Sequence, residues 1–398
     1  MTTGLIEAKH SAPVRGTIAA PGALPRRLDC LTSLRFFAAL GVFLHHFTGI
    51  GDKTGYGTAP LVFPYSQMAA QGVTFFFVLS GFVLTWTHKP EQSAGAFYWR
   101  RIARIWPATL VTAVPAYLVF YVMAHQRTHW GSLVSSLFLV QNWFPNSRPS
   151  LPGNPVTWTL SVELLFYALF PFAARFLVRL RTRSLVVLTA AGLASMVLVS
   201  NLAGAHHPAA FAAWIARTPP YHLPEFLVGI TLAVAVRRGW RPRLHPAVPL
   251  LALAAYTYAY YRWIPRLSDT WSQQAGYSLR PVIAVLAALV MLAFVQREIA
   301  GRRGLLNRPA LVNLGVWSYC FYLIHHTVSR WATYEFGRTA DNDGALFAFL
   351  GMGLVITVLA WATHRYVEEP ANRWLVAHLP ARLERGGRRG RALHRATG

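Results

Sequence analysis

Residues 31–50 read LTSLRFFAALGVFLHHFTGI. Twenty residues, at ~1.5 Å of helical rise each, cross the ~30 Å apolar layer of a bilayer, and this run carries only one guanidinium and two imidazoles. The pattern recurs along the chain. Comparable runs lie at about 68–87, 105–123, 158–174, 185–203, 221–236, 246–263, 281–296, 309–334 and 345–366. The stretch 131–141 is apolar but too short to cross. It is expected as an interfacial or re-entrant segment, because its sequel, Asn142 to Pro155, has the Gly/Pro/Asn content of a loop. The fold class expected is therefore an all-α membrane protein, a bundle of about ten transmembrane helices.

The composition points the same way. Of 398 residues, 54% are apolar and 13% charged, whereas soluble domains carry about 45–50% and about 25%. That balance argues against a soluble globular chain and against a disordered one. Fourteen Trp, 16 Tyr and 24 Phe suit aromatic belts at a bilayer surface. Two cysteines, Cys30 and Cys320, cannot build a disulfide framework or a zinc site.

The net charge of +24 raises the question of nucleic acid, and its distribution answers it. The N-terminal arm, the segments 88–104, 175–184, 237–245 and 297–308, and the tail from Arg365 carry 28 of the 38 Lys and Arg. The alternate loops carry 8, and Arg35 and Arg330 fall in or at spans. Lys and Arg concentrate on the cytoplasmic side of membrane proteins, so both termini are expected there. The run Arg388-Arg389-Gly390-Arg391 then reads as a stop-transfer cluster touching anionic lipid, with no nucleic-acid partner. Three segments follow: a flexible cytoplasmic arm over 1–30 without the pattern of a cleavable leader, a transmembrane domain over 31–370, and a basic cytoplasmic tail over 371–398. The expected location is a cell membrane, multi-pass. Thirty-five Arg against three Lys suggests a GC-rich bacterial genome, hence a bacterial plasma membrane.

Ionisable groups inside a span cost at least ~2.5–3.5 kcal/mol each, so they mark function. The first span holds Arg35, His45 and His46, the fourth Glu163, the sixth Glu225, and the ninth His325 and His326. Arg35 and His46 are eleven residues apart, about three turns, on one helix face and ~16 Å apart along the axis. With the N-terminus inside, His46, Glu163 and His325 share a depth in the outer half, and Arg35 lies nearer the cytoplasm.

Such a set suits acyl transfer to an alcohol, which needs a base to take its proton as the new bond forms. Histidine, with an unperturbed pKa near 6.5, fits that task. A carboxylate on the far ring nitrogen would fix its tautomer, and Glu163 is the expected partner of His46. The competing reading makes these groups polar glue between helices. Arg100, Arg101 and Arg104 precede the third span. Arg101 and Arg104 share a helical face, and guanidinium forks match phosphate oxygens. Pro107 follows, tolerable at a helix's first turn. The competing reading is an ordinary positive-inside cluster. The pairs His45/His46 and His325/His326 point their members to different faces, so no metal is implied.

Taken together, these residues resemble the acyltransferase family 3 of integral membrane acyltransferases. Leu34-Arg35-Phe-Phe-Ala-Ala…His46 looks like its first-helix pattern. Gly72-Val-Thr-Phe-Phe-Phe-Val-Leu-Ser80-Gly81-Phe82 is similar to its second-helix signature. Phe97-Tyr98-Trp99-Arg100-Arg101-Ile-Ala-Arg104-Ile-Trp-Pro107 resembles its arginine motif, and Trp158-Thr-Leu-Ser161-Val162-Glu163-Leu-Leu-Phe166-Tyr167 its Ser-Val-Glu motif. Ser318-Tyr319-Cys-Phe-Tyr322-Leu-Ile-His325 and Tyr366-Val-Glu368-Glu-Pro370 are like its closing motifs.

The resemblance implies a ten-helix bundle and a cytoplasmic acyl-CoA donor, most often acetyl-CoA, used as a substrate with no permanently bound cofactor. The acceptor would be a hydroxyl on a small molecule or glycan, which covers antibiotic biosynthesis and polysaccharide modification. It implies His46, Arg35 and Glu163 as the catalytic set, and Arg101, Arg104 and Arg100 as donor-binding residues. His325, Tyr319 and Trp158 become acceptor-binding candidates. The pantetheine arm has about the reach of the Arg35–His46 separation, so phosphates would sit at the arginines and the thioester near His46. Direct transfer is the simplest route, with Ser80 or Ser161 as candidates for an acyl-serine. Two departures stand out. His222 occupies the place, three residues before Glu225, where the family usually has Arg. The sequence also reads as the stand-alone type, without a hydrolase-like domain after the bundle. The rival functions are a transporter or flippase using the Arg/His/Glu set for proton coupling, and a structural or sensory membrane protein.

Overall fold

Each of the ten apolar runs falls for most of its length on helix. The computed structural model describes residues 24–385 apart from Arg26 and residues 50–61, 146–150 and 339–341. Most of the arm expected over 1–30 and the arginine run from Arg388 lie outside the described residues, among which there is no strand. In chain order the helices are α1 (Asp29–Thr48), α2 (Phe63–Ala69), α3 (Gly72–Trp86), α4 (Ala94–Tyr117), α5 (Trp130–Leu137) and α6 (Trp158–Leu177). Then come α7 (Thr182–His206), α8 (Ala209–Ile215), α9 (Leu223–Arg237), α10 (Ala247–Arg262) and α11 (Asp269–Ile299). The chain closes with α12 (Pro309–Phe336), α13 (Asn342–Thr363), α14 (Glu369–Ala377) and α15 (Ala381–Arg385). The short run at 131–141 becomes α5 and a 3-10 turn, Gln141–Trp143.

Among the described residues, seven helical stretches are long and apolar enough to cross a membrane, which makes this an all-α membrane protein. The helices α9 and α10, with 15 and 16 residues, are short by that measure. The 28-residue α12 has the length but carries two histidines and an arginine in its second half. Large apolar side chains face outward on the lipid-facing helices, with Val187 68%, Leu251 67% and Phe347 74% exposed. In water such surface would aggregate, and in lipid it costs nothing.

Two close helix crossings set the frame. A Cβ on Gly315 of α12 would stand 1.9 Å from the Thr32 carbonyl oxygen of α1. Ten residues on, His325 meets His46, so α1 and α12 run parallel. A Cβ on Gly229 of α9 would stand 1.9 Å from the Val78 carbonyl oxygen of α3. Thr74 bonds Glu225 and Arg237 bonds the Thr85 carbonyl, so α3 and α9 also run parallel. Only glycine lets the backbones approach this far, the usual device of membrane helix pairs. Phe43, Phe77, Phe166, Phe170 and Phe321 fill the centre, all fully buried.

α4 begins at Ala94, so Pro107 lies in its interior and not in its first turn as expected. Pro115 follows, and the helix then widens into a π-helical stretch, Leu118–Met123. A second π-helical stretch, His364–Glu368, joins α13 to α14. Such wide turns insert one extra residue per turn and recur at functional sites.

Candidate active site

A cavity of about 150 Å³ opens between α1, α3, α4, α6 and α12. Arg35, Ser80, Arg101, Arg104, Glu163, Tyr167, Tyr319 and Tyr322 line it. Arg101 and Arg104 therefore share a face, as their spacing predicts. Arg100, one residue off that face, is exposed and outside the lining. The Arg101 guanidinium sits 5.3 Å from the Phe97 ring centroid and 5.4 Å from that of Tyr167. Arg35 lies within electrostatic reach of Arg104, Glu163 and Glu368. Tyr319 lines the cavity while its hydroxyl donates to the Ile105 carbonyl at 2.9 Å and pairs with Thr109 at 2.7 Å.

Glu163 does not hold His46, as the sequence reading had it. Its carboxylate accepts from the Ser80 hydroxyl at 2.7 Å and the Tyr167 hydroxyl at 3.2 Å, inside the arginine-lined cavity. Glu163 lines the cavity that Arg35 of α1 also lines, and its carboxylate meets Ser80 of α3 and not His46. Ser161 is fully buried, its hydroxyl has no hydrogen-bond partner, and it lies outside the cavity lining.

The partner of His46 is His325. His325 Nε2 lies 3.1 Å from His46 Nδ1, and His325 Nδ1 lies 2.6 Å from the Tyr322 carbonyl. His46 Nδ1 also lies 3.0 Å from the Val42 carbonyl. These acceptors fix the tautomers. A carbonyl only accepts, so both Nδ1 atoms carry protons. His325 Nε2 then accepts from His46, and the lone pair of His46 is left on Nε2. His325 is fully buried, placed to orient His46 and not to meet an acceptor directly, whereas His46 is half-buried. His326 stacks on His46 with ring centroids 4.3 Å apart, and Phe120 of the first π-helical stretch packs on His326 at 5.0 Å. Tyr322 joins the two compartments, since its ring lines the cavity and its carbonyl anchors His325. Among the described residues no cluster of His, Cys, Asp or Glu has the form of a metal site.

Two further carboxylates are fully buried. Glu368 pairs with Arg104 at 2.8 Å and His364 at 2.9 Å, and takes the Cys320 thiol at 3.1 Å. The sequence reading placed Glu368 in a motif without giving it a role. Only its i,i+4 relation to His364 was legible. Glu225 accepts from Thr74 at 2.6 Å, lies 2.6 Å from His222 Nδ1, and has Arg280 of α11 at 3.8 Å. The histidine that departs from the usual arginine thus pairs with the carboxylate, and a guanidinium arrives from another helix. Trp158 packs on His222 and Phe77 beside the cavity, at 5.7 and 6.3 Å, and does not line it.

Residues after Glu368 fold back onto the start of α4, where Trp99 Nε1 donates to the Leu375 carbonyl at 2.7 Å.

Comparison with known proteins places the chain among acyltransferases. The family model described as an acyltransferase domain matches residues 28–365. The chain is 31% identical over 379 residues to the acyltransferase MdmB of Streptomyces mycarofaciens, covering 89% of this chain and 94% of that protein. It is 20% identical over 375 residues to the O-acetyltransferase OatA of Staphylococcus aureus, covering 88% of this chain and 58% of that longer protein. No solved structure matches the chain.

Proposed function

The chain belongs to the acyltransferase family 3 and is a membrane O-acyltransferase, and from that premise we propose that it moves an acetyl group from cytoplasmic acyl-CoA to a hydroxyl. We read ten crossings with both termini in the cytoplasm, on the Lys and Arg distribution. The acceptor is a sugar-bearing or otherwise hydroxylated small metabolite, or a surface glycan. The name of OatA supports an acetyl donor and an oxygen acceptor.

The observation that carries this reading is the placing of His46 Nδ1 against the Val42 carbonyl and His325 Nε2, from which it follows that the Nε2 lone pair points away from both. Arg35, on the same helix ~16 Å below, lines the cavity with Arg101 and Arg104. The pantetheine arm runs through this cavity, with the pyrophosphate toward Arg101 and Arg104, and the thioester reaches the histidines. His46 Nε2 takes the acceptor's proton as its oxygen attacks the thioester carbonyl. The tetrahedral intermediate collapses, the carbon–sulfur bond breaks, and the departing thiolate takes the proton back from the imidazolium. His325 accepts the His46 Nδ1–H throughout and stabilises the transient cation. Glu163 offsets the arginine charge in the cavity and positions Ser80 and Tyr167.

The test is acyl transfer in nanodiscs with labelled acetyl-CoA, a panel of macrolide and sugar acceptors, and His46→Ala beside wild type. Product from wild type alone, with a folded variant, supports the scheme. Equal product from both removes His46 as the base. Neither product nor stabilisation of wild type by CoA removes the donor assignment and favours a transporter.

A further inference from the structure

The inner cavity, at about 150 Å³, has room for an extended chain and none for a nucleotide. A second cavity of about 820 Å³ lies beside it, between the 88–95 segment, the last turns of α6 and the short helix α15. Lys89, Arg175, Arg179 and Arg382 line it against one carboxylate, Glu91. His88, which also lines it, is pushed below its ordinary pKa, by burial first and then by the Arg237 guanidinium, with Glu91 opposing and Arg175 adding to the shift.

Two contacts build the wall. The Ser93 hydroxyl donates to the Leu383 carbonyl, and a Cβ on Gly95 would stand 2.9 Å from Leu383 Cδ2. The two cavities share a partition. Phe97 lines the outer one, and its ring stacks on Phe170 at 5.7 Å. The same ring meets Arg101, which lines the inner cavity.

We propose that the outer cavity holds the phosphorylated nucleoside of the donor, with α15 as one wall, while the arm enters the inner cavity past Arg101. This rests on the acyl-CoA reading above. It assigns a phosphate-binding role to Lys89, Arg175, Arg179 and Arg382, and turns the basic tail into part of the site.

The experiment measures binding of CoA, 3′-dephospho-CoA and phosphopantetheine to protein in nanodiscs of phosphatidylcholine alone. The variants are the triple Arg175→Gln/Arg179→Gln/Arg382→Gln, whose side chains are exposed, and separately Leu383→Asp, which lifts α15. Wild type is expected to hold CoA tighter than its dephospho form. The triple variant is expected to weaken CoA about tenfold, as three solvated charge contacts allow, to erase the preference, and to leave phosphopantetheine unchanged. Leu383→Asp is expected to do the same. An unchanged CoA affinity in both variants overturns the proposal while leaving the donor assignment standing. A defect seen only in discs with phosphatidylglycerol assigns the arginines to lipid headgroups and also overturns it. Wild type that binds no CoA overturns this proposal and the donor assignment together.

Discussion

Replacing His325 by Phe tests the histidine pair with little collateral damage. The His46 Nδ1–H retains the Val42 carbonyl at 3.0 Å when His325 is gone. The Tyr322 carbonyl retains its place in the α12 backbone ladder. A Phe ring keeps the stack on Phe321, 6.4 Å away at 13°, and the edge contact with Phe43. No buried donor is orphaned, so the folding cost is small. The catalytic cost is not. When His46 takes a proton, the 3.1 Å contact to His325 becomes a hydrogen bond to a cation, worth about 1.5–3 kcal/mol. At about 1.4 kcal/mol per tenfold, kcat should fall roughly ten- to hundredfold with KM for the donor unchanged. His325→Gln restores an acceptor and should recover part of the loss. The assay is steady-state transfer in nanodiscs beside a thermal melt of each variant. A kcat within twofold of wild type for His325→Phe would refute the argument. So would equal losses for Phe and Gln accompanied by a collapsed melting temperature, which would make His325 a packing residue.

Glu368→Ala should lower stability by about 3 kcal/mol, the low end for one half of a buried ion pair, because Arg104 keeps 35% of its side chain exposed. A thermal melt reads this. Gly315→Ala places a Cβ 1.9 Å from the Thr32 carbonyl oxygen, so α1 and α12 must part and the His46–His325 contact must lengthen. Activity and melting temperature should both drop. Gly351→Ala, in open space on α13, should leave both unchanged or raise stability by about 0.5–1 kcal/mol. Glu163→Ala removes the acceptor of two hydroxyls, at about 1–3 kcal/mol each. Glu163→Gln, which keeps an acceptor for Ser80, should melt higher than Glu163→Ala.

Much of this was legible along the chain because a membrane reduces folding to depth. The apolar runs predict where helices lie, and depth alone brings His46 and His325 to one level. Spacing predicts that Arg101 and Arg104 share a face, and both line the cavity. What depth does not contain is azimuth. Glu163 is expected at the level of His46, yet α6 sets it in the cavity that Arg35 lines, against Ser80 and Tyr167. That placing is set by packing, with Phe166 and Phe170 on Phe226. The pairing of Arg280 with Glu225 and of Arg104 with Glu368 joins residues 55 and 264 positions apart, which no local pattern encodes. The fold of the tail is illegible for a simpler reason. Its arginines mark only a basic end, and it is held at the start of α4 through the backbone carbonyls of Leu375 and Leu383, which no side-chain pattern encodes.

The wide turn at His364–Glu368 works as a phase shifter. Upstream, α13 is in phase with the lipid, with Phe347, Leu354 and Val358 turned outward. Downstream, the chain is in phase with α4, with Glu368 turned to Arg104 and Leu375 to Trp99. One added residue supplies about 100° of rotation, enough to exchange one set of neighbours for the other without a loop. Removing a single residue there would leave every helix intact and every hydrophobic run in place. It would also rotate Leu383 and Arg382 off the outer cavity that they line, so that the count of one residue couples the lipid-facing helix to the wall of that cavity.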